Sequence, residues 1–151
     1  MSDIQEATAA DLRRAAQDVF RRHLELLAAG RVREWVELFA ENGTIEHPFA
    51  PAGVRSRASG KSDLFDYIQH FPEVFSVTFT EPQFHETTDP ELVIAEFRAE
   101  GIAIPTGKRY DQQYINVVRT KDGKIVHYVD FWNPLVALSA MGEDLTTAFF
   151  D

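Results

Sequence analysis

Cysteine is absent from the 151-residue chain, which removes disulfides, thiolate zinc sites and cysteine nucleophiles from consideration. Cations are scarce: 15 Lys and Arg stand against 24 Asp and Glu, giving a formal net charge of −9. Phosphate backbones and anionic bilayers are held by clustered Lys and Arg, so neither nucleic acid nor membrane is an expected partner. No apolar run approaches the ~20 residues of a membrane span, and the opening stretch MSDIQEATAADLRRAAQ has no apolar block of the kind a secretory leader carries. A cytoplasmic protein is the default expectation. Internal repeats, low-complexity tracts and linkers are missing as well. One domain over residues 1–151 is expected, long enough to bury a core.

What is present begins with three amphipathic segments. Thr8 followed by Asp11 resembles a capping box, and Leu12, Ala16, Val19, Phe20, His23, Leu24 and Leu27 recur at helical spacing up to Gly30. A shorter helix carries Val32, Trp35, Val36 and Phe39, with Asn42-Gly43 as its stop. A third starts at Ser62 as N-cap, buries Leu64, Phe65, Tyr67, Ile68 and Phe71, and closes at Pro72. Beyond Pro72 the period falls to two. Val77 and Phe79 alternate with polar residues, and Leu92–Ile104, Arg109–Thr120 and Lys124–Trp132 read as longer strands. Asp89-Pro90, Pro105-Thr106-Gly107 and Asp122-Gly123 supply the turns, and Leu135–Met141 reads as a closing helix. The expectation is an α+β fold, a curved antiparallel sheet covered on one face by the three N-terminal helices.

Strand alternation sorts the side chains into two faces. Val93, Ala95, Phe97 and Ala99 point opposite to Glu96, Arg98 and Glu100; Tyr110, Gln112, Tyr114 and Asn116 share one face, and so do Tyr128, Asp130 and Trp132. Aromatic walls set with a few polar tips are the composition of a small-molecule pocket.

Three stretches together carry a resemblance: LFAENGTIEHPFAP, GKSDLFDYIQHFPEVF and DGKIVHYVDFWNPLVALSAMG. They resemble the cone-shaped, cystatin-like fold shared by nuclear transport factor 2, ketosteroid isomerase and the SnoaL-like polyketide cyclases, most nearly its phenazine-biosynthesis A/B form. The resemblance implies that His47, before Pro48, occupies the general-base position of the isomerase, and that Asn116 falls near its oxyanion-hole carboxyl. Asp130 falls where the cyclases and the limonene epoxide hydrolases place a working aspartate, and Tyr110 at a pocket tyrosine of the phenazine proteins. Tyr67 stands in place of the latter's helix-three histidine. Phe97 and Ala99 replace the epoxide hydrolases' arginine and partner aspartate, so that triad is absent.

His47 and Asp130 are therefore the expected catalytic pair. A histidine's ordinary pKa of ~6.5 suits proton abstraction near neutrality; otherwise His47 is a buried ring satisfied by a backbone carbonyl, or a plain loop residue. Asp130 among aromatics is either an acid with a raised pKa or the orienter of His47, or else it pairs with Arg109 or Arg119 at the sheet edge. Tyr110, Tyr114 and Asn116 are expected to donate to a substrate carbonyl, and Phe49, Tyr67, Phe97, Tyr128 and Trp132 to wall a flat ligand. Arg55 and Arg57 either attract a carboxylate at the mouth or are simply solvated. Glu46, His47 and Asp130 lack tight ligand spacing, so no metal is expected, and no cofactor. The function expected is a cofactor-independent isomerase, cyclase or condensing enzyme transferring a proton next to a carbonyl. The expected partners are a small flat organic ligand and a second copy of the chain, through the outer sheet face. Non-catalytic ligand delivery, or an interaction module whose cone is filled by its own aromatics, are the alternatives.

Overall fold

The structure, a computed structural model, describes residues 7–142; the start of the MSDIQEATAADLRRAAQ stretch and both ends of the span 1–151 lie outside the described residues. Helix α1 (Ala9–Ala28) begins at the capping box read from sequence. Asp11 N donates to Thr8 Oγ1 at 3.1 Å, and Thr8 N donates to the Asp11 carboxylate at 3.3 Å. Two donors that the first helical turn leaves unpaired are thereby satisfied. Its inward stripe sets Phe20 edge-on to both Phe84 and Phe97. Phe20 is completely buried, so truncation to alanine should cost roughly 3–5 kcal/mol.

Helix α2 (Val32–Glu37) buries Trp35 and Val36. Strand β1 (Phe39–Glu46) follows at once, so Asn42-Gly43 lies within a strand instead of ending the helix. The register against the neighbouring strand shifts between Phe39 and Thr44, and a Cβ at Gly43 would stand 3.0 Å from the Ile125 carbonyl oxygen. A Gly that marks close backbone approach at a bulge has the same local signature as one that stops a helix. Strand β2 (Arg57–Ser59) leads to α3 (Lys61–Ile68), whose N-cap is Gly60 instead of Ser62. Asp63, in the first turn, accepts from Ser59 N, just ahead of that N-cap, at 2.9 Å. Pro72 does not close this helix. It sits in the first turn of a separate one, α4 (Phe71–Val74), where a missing N–H removes no helical bond.

The remaining elements are β3 (Phe75–Phe79), β4 (Gln83–His85), β5 (Leu92–Ala103), β6 (Gln112–Lys121), β7 (Lys124–Trp132) and α5 (Pro134–Met141). The path of the sheet is β2-β1-β7-β6-β5-β3, with β4 also on β5. Arg109, expected at the start of the second of the three longer strands, makes only an isolated bridge to Ile102 ahead of β6. Asp122 and Gly123 both have positive φ, 51° and 77°, as a two-residue type I′ hairpin turn requires. The sheet is mixed, not antiparallel throughout, because β1 runs parallel to β7. Strands joined by tight turns must alternate in direction, but these two are far apart in sequence and no turn dictates their sense. The fold is otherwise as read: α+β, a curved open sheet with helices drawn from the N-terminal half. No helix among the described residues is long and apolar enough to cross a membrane.

Candidate active site

Two strands deliver the polar pair. His47 follows the last residue of β1 and is pinned by its backbone, donating N–H to Ser56 O at 2.8 Å and accepting from Ala50 N at 3.1 Å. Alternation turns Glu46 outward, to Arg57 at 3.0 Å and His127 at 3.6 Å, and His47 inward, with 8% of its surface exposed. On β7 the same alternation turns Asp130 and Trp132 inward. Trp132 Nε1–H donates to His47 Nδ1 at 2.6 Å. An indole nitrogen can only donate, so Nδ1 is an acceptor and the proton of the neutral ring is on Nε2. That Nε2 is buried and has no hydrogen-bond partner among the described residues.

Asp130 Oδ2 lies 3.4 Å from His47 Nδ1, and Asp130 Oδ1 accepts from Asn116 Nδ2 at 2.5 Å. Burial raises the Asp130 pKa to about 7, against the opposing pull of the Asn116 hydrogen bond. Burial drives His47 down to about 3. The contact is therefore between a neutral imidazole and a carboxyl that titrates near neutrality, not an ion pair.

Both groups line a cavity of about 60 Å³. Tyr67, Phe97, Tyr110, Tyr114, Tyr128 and Trp132 stand in its wall, as do His23, Leu24, Val54, Phe71, Phe75 and Phe79. The Tyr67 ring stacks on His47 with centroids 5.2 Å apart, and the Tyr114 ring stacks on Phe97 at 4.9 Å. The Tyr110 and Tyr114 hydroxyls are 3.1 Å apart. Burial pushes Tyr110 up to about 12 and raises Tyr67, Tyr114 and Tyr128 well above the ordinary phenol range. All four remain hydroxyl donors across the neutral range. Among the described residues no Lys or Arg is in the wall.

Two expected pocket residues, a wall and a carbonyl donor, are placed elsewhere. Phe49 is 58% exposed and tilts against Phe131 at 5.3 Å, because the turn after His47 carries it past the rim. Asn116 is completely buried but stands behind the wall, between Asp130 and Tyr128. The arginines are engaged within the protein: Arg55 with Asp63 and over the Tyr67 ring, Arg57 with Glu46. Arg109 pairs with Asp111 and Arg119 with Asp89, which leaves Asp130 to the interior.

Sequence reasoning passed over two polar residues. His23 is buried on α1 with Nδ1 accepting from Trp35 Nε1 at 3.4 Å and Nε2 3.4 Å from Tyr128 Oη. Its signal was a histidine on the apolar stripe of a helix. Gln112, the first residue of β6, is buried between Tyr110 just ahead of the strand and Tyr114 on it. Its Nε2 donates to Asn133 O at 2.9 Å, and its Oε1 accepts from Asn133 N at 2.9 Å, tying β6 to the cap of α5.

The sequence model of the SnoaL-like domain matches residues 20–128. A PhzA/B-like protein of Pseudomonas aeruginosa, itself uncharacterised, is 43% identical over 127 residues, covering 84% of this chain and 90% of that one. The chain belongs to the SnoaL-like family. A crystal structure of a provisional isomerase from Bacillus subtilis superposes with a TM-score of 0.83 at 39% identity, over 85% of this chain and 94% of that one. A phenazine biosynthesis-related protein of Pseudomonas aeruginosa shares the fold at TM-score 0.74 and 21% identity, over 87% of this chain and 88% of that one.

Proposed function

We propose that this SnoaL-like protein is a cofactor-independent enzyme that moves a proton next to the carbonyl of a compact, uncharged substrate, as an isomerase or cyclase does. The observation that carries the reading is the buried approach of Asp130 to His47 inside an aromatic cavity, with the Asp130 pKa raised to about 7. A base is most effective when its pKa lies near the working pH. The sequence made His47 the base. Its pKa near 3 and its occupied Nδ1 favour an exchange of roles. In this scheme Asp130 takes the α-proton of the substrate, and the C–H electron pair moves through the carbonyl to its oxygen. His47 Nε2–H and a tyrosine hydroxyl hold the charge that gathers on that oxygen. Asp130 then returns the proton to the same or a neighbouring carbon.

The test is deuterium wash-in at the α-carbon of small cyclic ketones such as cyclohexanone, followed by NMR in deuterated buffer. The wild-type protein should accelerate exchange over buffer, with a rate that rises through pH 7. Asp130→Asn should lose that acceleration by roughly 10²–10⁴-fold. Failure of the wild-type protein to exchange any of the ketones would sink the proposal.

A second reading is favoured by the size of the cavity. About 60 Å³ accommodates a few waters, less than the ~150 Å³ of a cavity that takes up benzene. A cone filled by its own aromatics would serve as an interaction module, and absence of both exchange and ketone-induced thermal stabilisation would favour it.

A further inference from the structure

Asp130 is the end of a hydrogen-bond chain that starts on the helices. Trp35 on α2 donates Nε1–H to His23 Nδ1 on α1 at 3.4 Å, and His23 Nε2 faces Tyr128 Oη at 3.4 Å. The Tyr128 hydroxyl donates to Asn116 Oδ1, and Asn116 Nδ2 donates to Asp130 Oδ1 at 2.5 Å. Donor counting fixes the direction of every link. An indole only donates, so His23 Nδ1 accepts. Burial keeps His23 neutral, with its pKa pushed down to about 3, so its one proton is on Nε2 and points to Tyr128. The single phenol proton is then left for Asn116, whose amide must turn its oxygen to Tyr128 and its NH₂ to Asp130.

We infer that this chain, running Trp35, His23, Tyr128, Asn116, holds Oδ1 of Asp130 as a fixed acceptor. The exchangeable proton is thereby confined to Oδ2, the oxygen beside His47, and His23 and Tyr128 are positioning residues acting through Asn116. The inference rests on the functional reading above only in treating Asp130 as the proton acceptor. Neighbouring groups do not supply the effect by other means. Asp130 faces His47 from the end of β1, Tyr67 from α3, Tyr110 ahead of β6, Tyr114 and Asn116 on β6, and Tyr128 and Trp132 on its own strand. The tyrosines are neutral, and among the described residues no cation lines the cavity. Among the described residues, the bond from Asn116 is the one that holds the Asp130 pKa down. Were its amide turned over, a carbonyl oxygen would face Asp130 and favour the protonated acid instead.

The experiment is a ¹³C NMR titration of the Asp130 carboxyl in the full chain, with folding verified by thermal melting. Tyr128→Phe frees the Asn116 amide and should raise the midpoint by about half to one pH unit, the size of one hydrogen bond's net contribution. Trp35→Phe should raise it by less. Val118→Ala removes buried apolar volume opposite Tyr128 in the β6–β7 register and should leave the midpoint where it is. In the wild-type protein, ¹⁵N shifts of His23 should report the Nε2–H tautomer, unchanged through the neutral range. An unmoved midpoint in Tyr128→Phe, an equal shift in Val118→Ala, or an Nδ1–H tautomer at His23 overturns the inference. If Tyr128→Phe does not fold, the His23 tautomer alone decides. None of these readouts needs turnover, so a failed deuterium exchange would sink the proposed activity and leave the relay intact.

Discussion

The two tryptophans of the chain make the same bond in two places, with different outcomes. Trp35 donates to Nδ1 of His23, and Trp132 donates to Nδ1 of His47. Both histidines are buried, and burial drives both down to about 3. At His23 the far nitrogen meets Tyr128, so every polar atom is matched. At His47 the far nitrogen meets no hydrogen-bond partner among the described residues. An unmatched buried donor costs free energy, and native interiors rarely keep one without a use. The comparison separates a histidine that completes the interior from one left available to a ligand.

The largest expected effect tests the closed pair. His23→Leu strips the acceptor from Trp35 and the donor from Tyr128 in a tightly packed core, and should cost about 3 kcal/mol in urea denaturation at pH 8. His47→Leu should cost only about 1 kcal/mol, since it removes an already unmatched N–H and leaves only the half-buried Trp132 unpaired. Equal costs would erase the distinction between the two histidines.

Acid should bring out what they share. A folded pKa near 3 against an ordinary 6.5 means that the unfolded chain binds protons which the folded one refuses. Stability from each histidine is thus complete above pH 6.5 and falls as pH drops, by about 1.4 kcal/mol per unit. Either Leu variant should have an acid limb shallower by that amount, read as urea midpoints between pH 6.5 and 4.

Asp130 works in the opposite sense. Its folded pKa of about 7 lies above the ordinary 3.8, so the folded state keeps a proton that the unfolded chain releases. Its contribution is therefore present at low pH and lost as pH rises toward 7. Between pH 5.5 and 7 that loss is about 1.6 kcal/mol. In Asp130→Asn the pH dependence of stability over this window should steepen toward gain with rising pH, because only the histidine terms remain.

How much of this was legible beforehand differs by element. The Thr8 cap, the inward and outward faces of β5 to β7 and the Asp122-Gly123 turn each follow from local chemistry, and each stands where the sequence put it. Asn42-Gly43 and Pro72 were misread because Gly and Pro mark an interruption without saying which kind. The parallel pairing of β1 with β7 depends on contacts remote in sequence, which no local pattern encodes. At the site, alternation brought His47 and Asp130 to one interior face. It carried no information on tautomers or hydrogen-bond partners, so the place of Asn116 behind Asp130 and the part of His23 were not visible.

The smallest expected effect concerns Phe49, which the sequence set in the pocket wall beside His47. Two residues past His47, the chain has already turned. The Phe49 ring is 58% exposed and its aromatic neighbour is Phe131, at 5.3 Å. Burial, not proximity in sequence, decides what an aromatic contributes. Phe49→Ser should therefore change stability by no more than about 0.5 kcal/mol. It should leave both the Asp130 titration and deuterium exchange at the wild-type level. Tyr67→Phe, in a ring that stacks on His47, keeps the wall but deletes a hydroxyl, and should slow exchange without lowering the melting temperature. If Phe49→Ser altered exchange while Tyr67→Phe did not, the rim and not the His47–Asp130 floor would be the part of the cone that meets substrate.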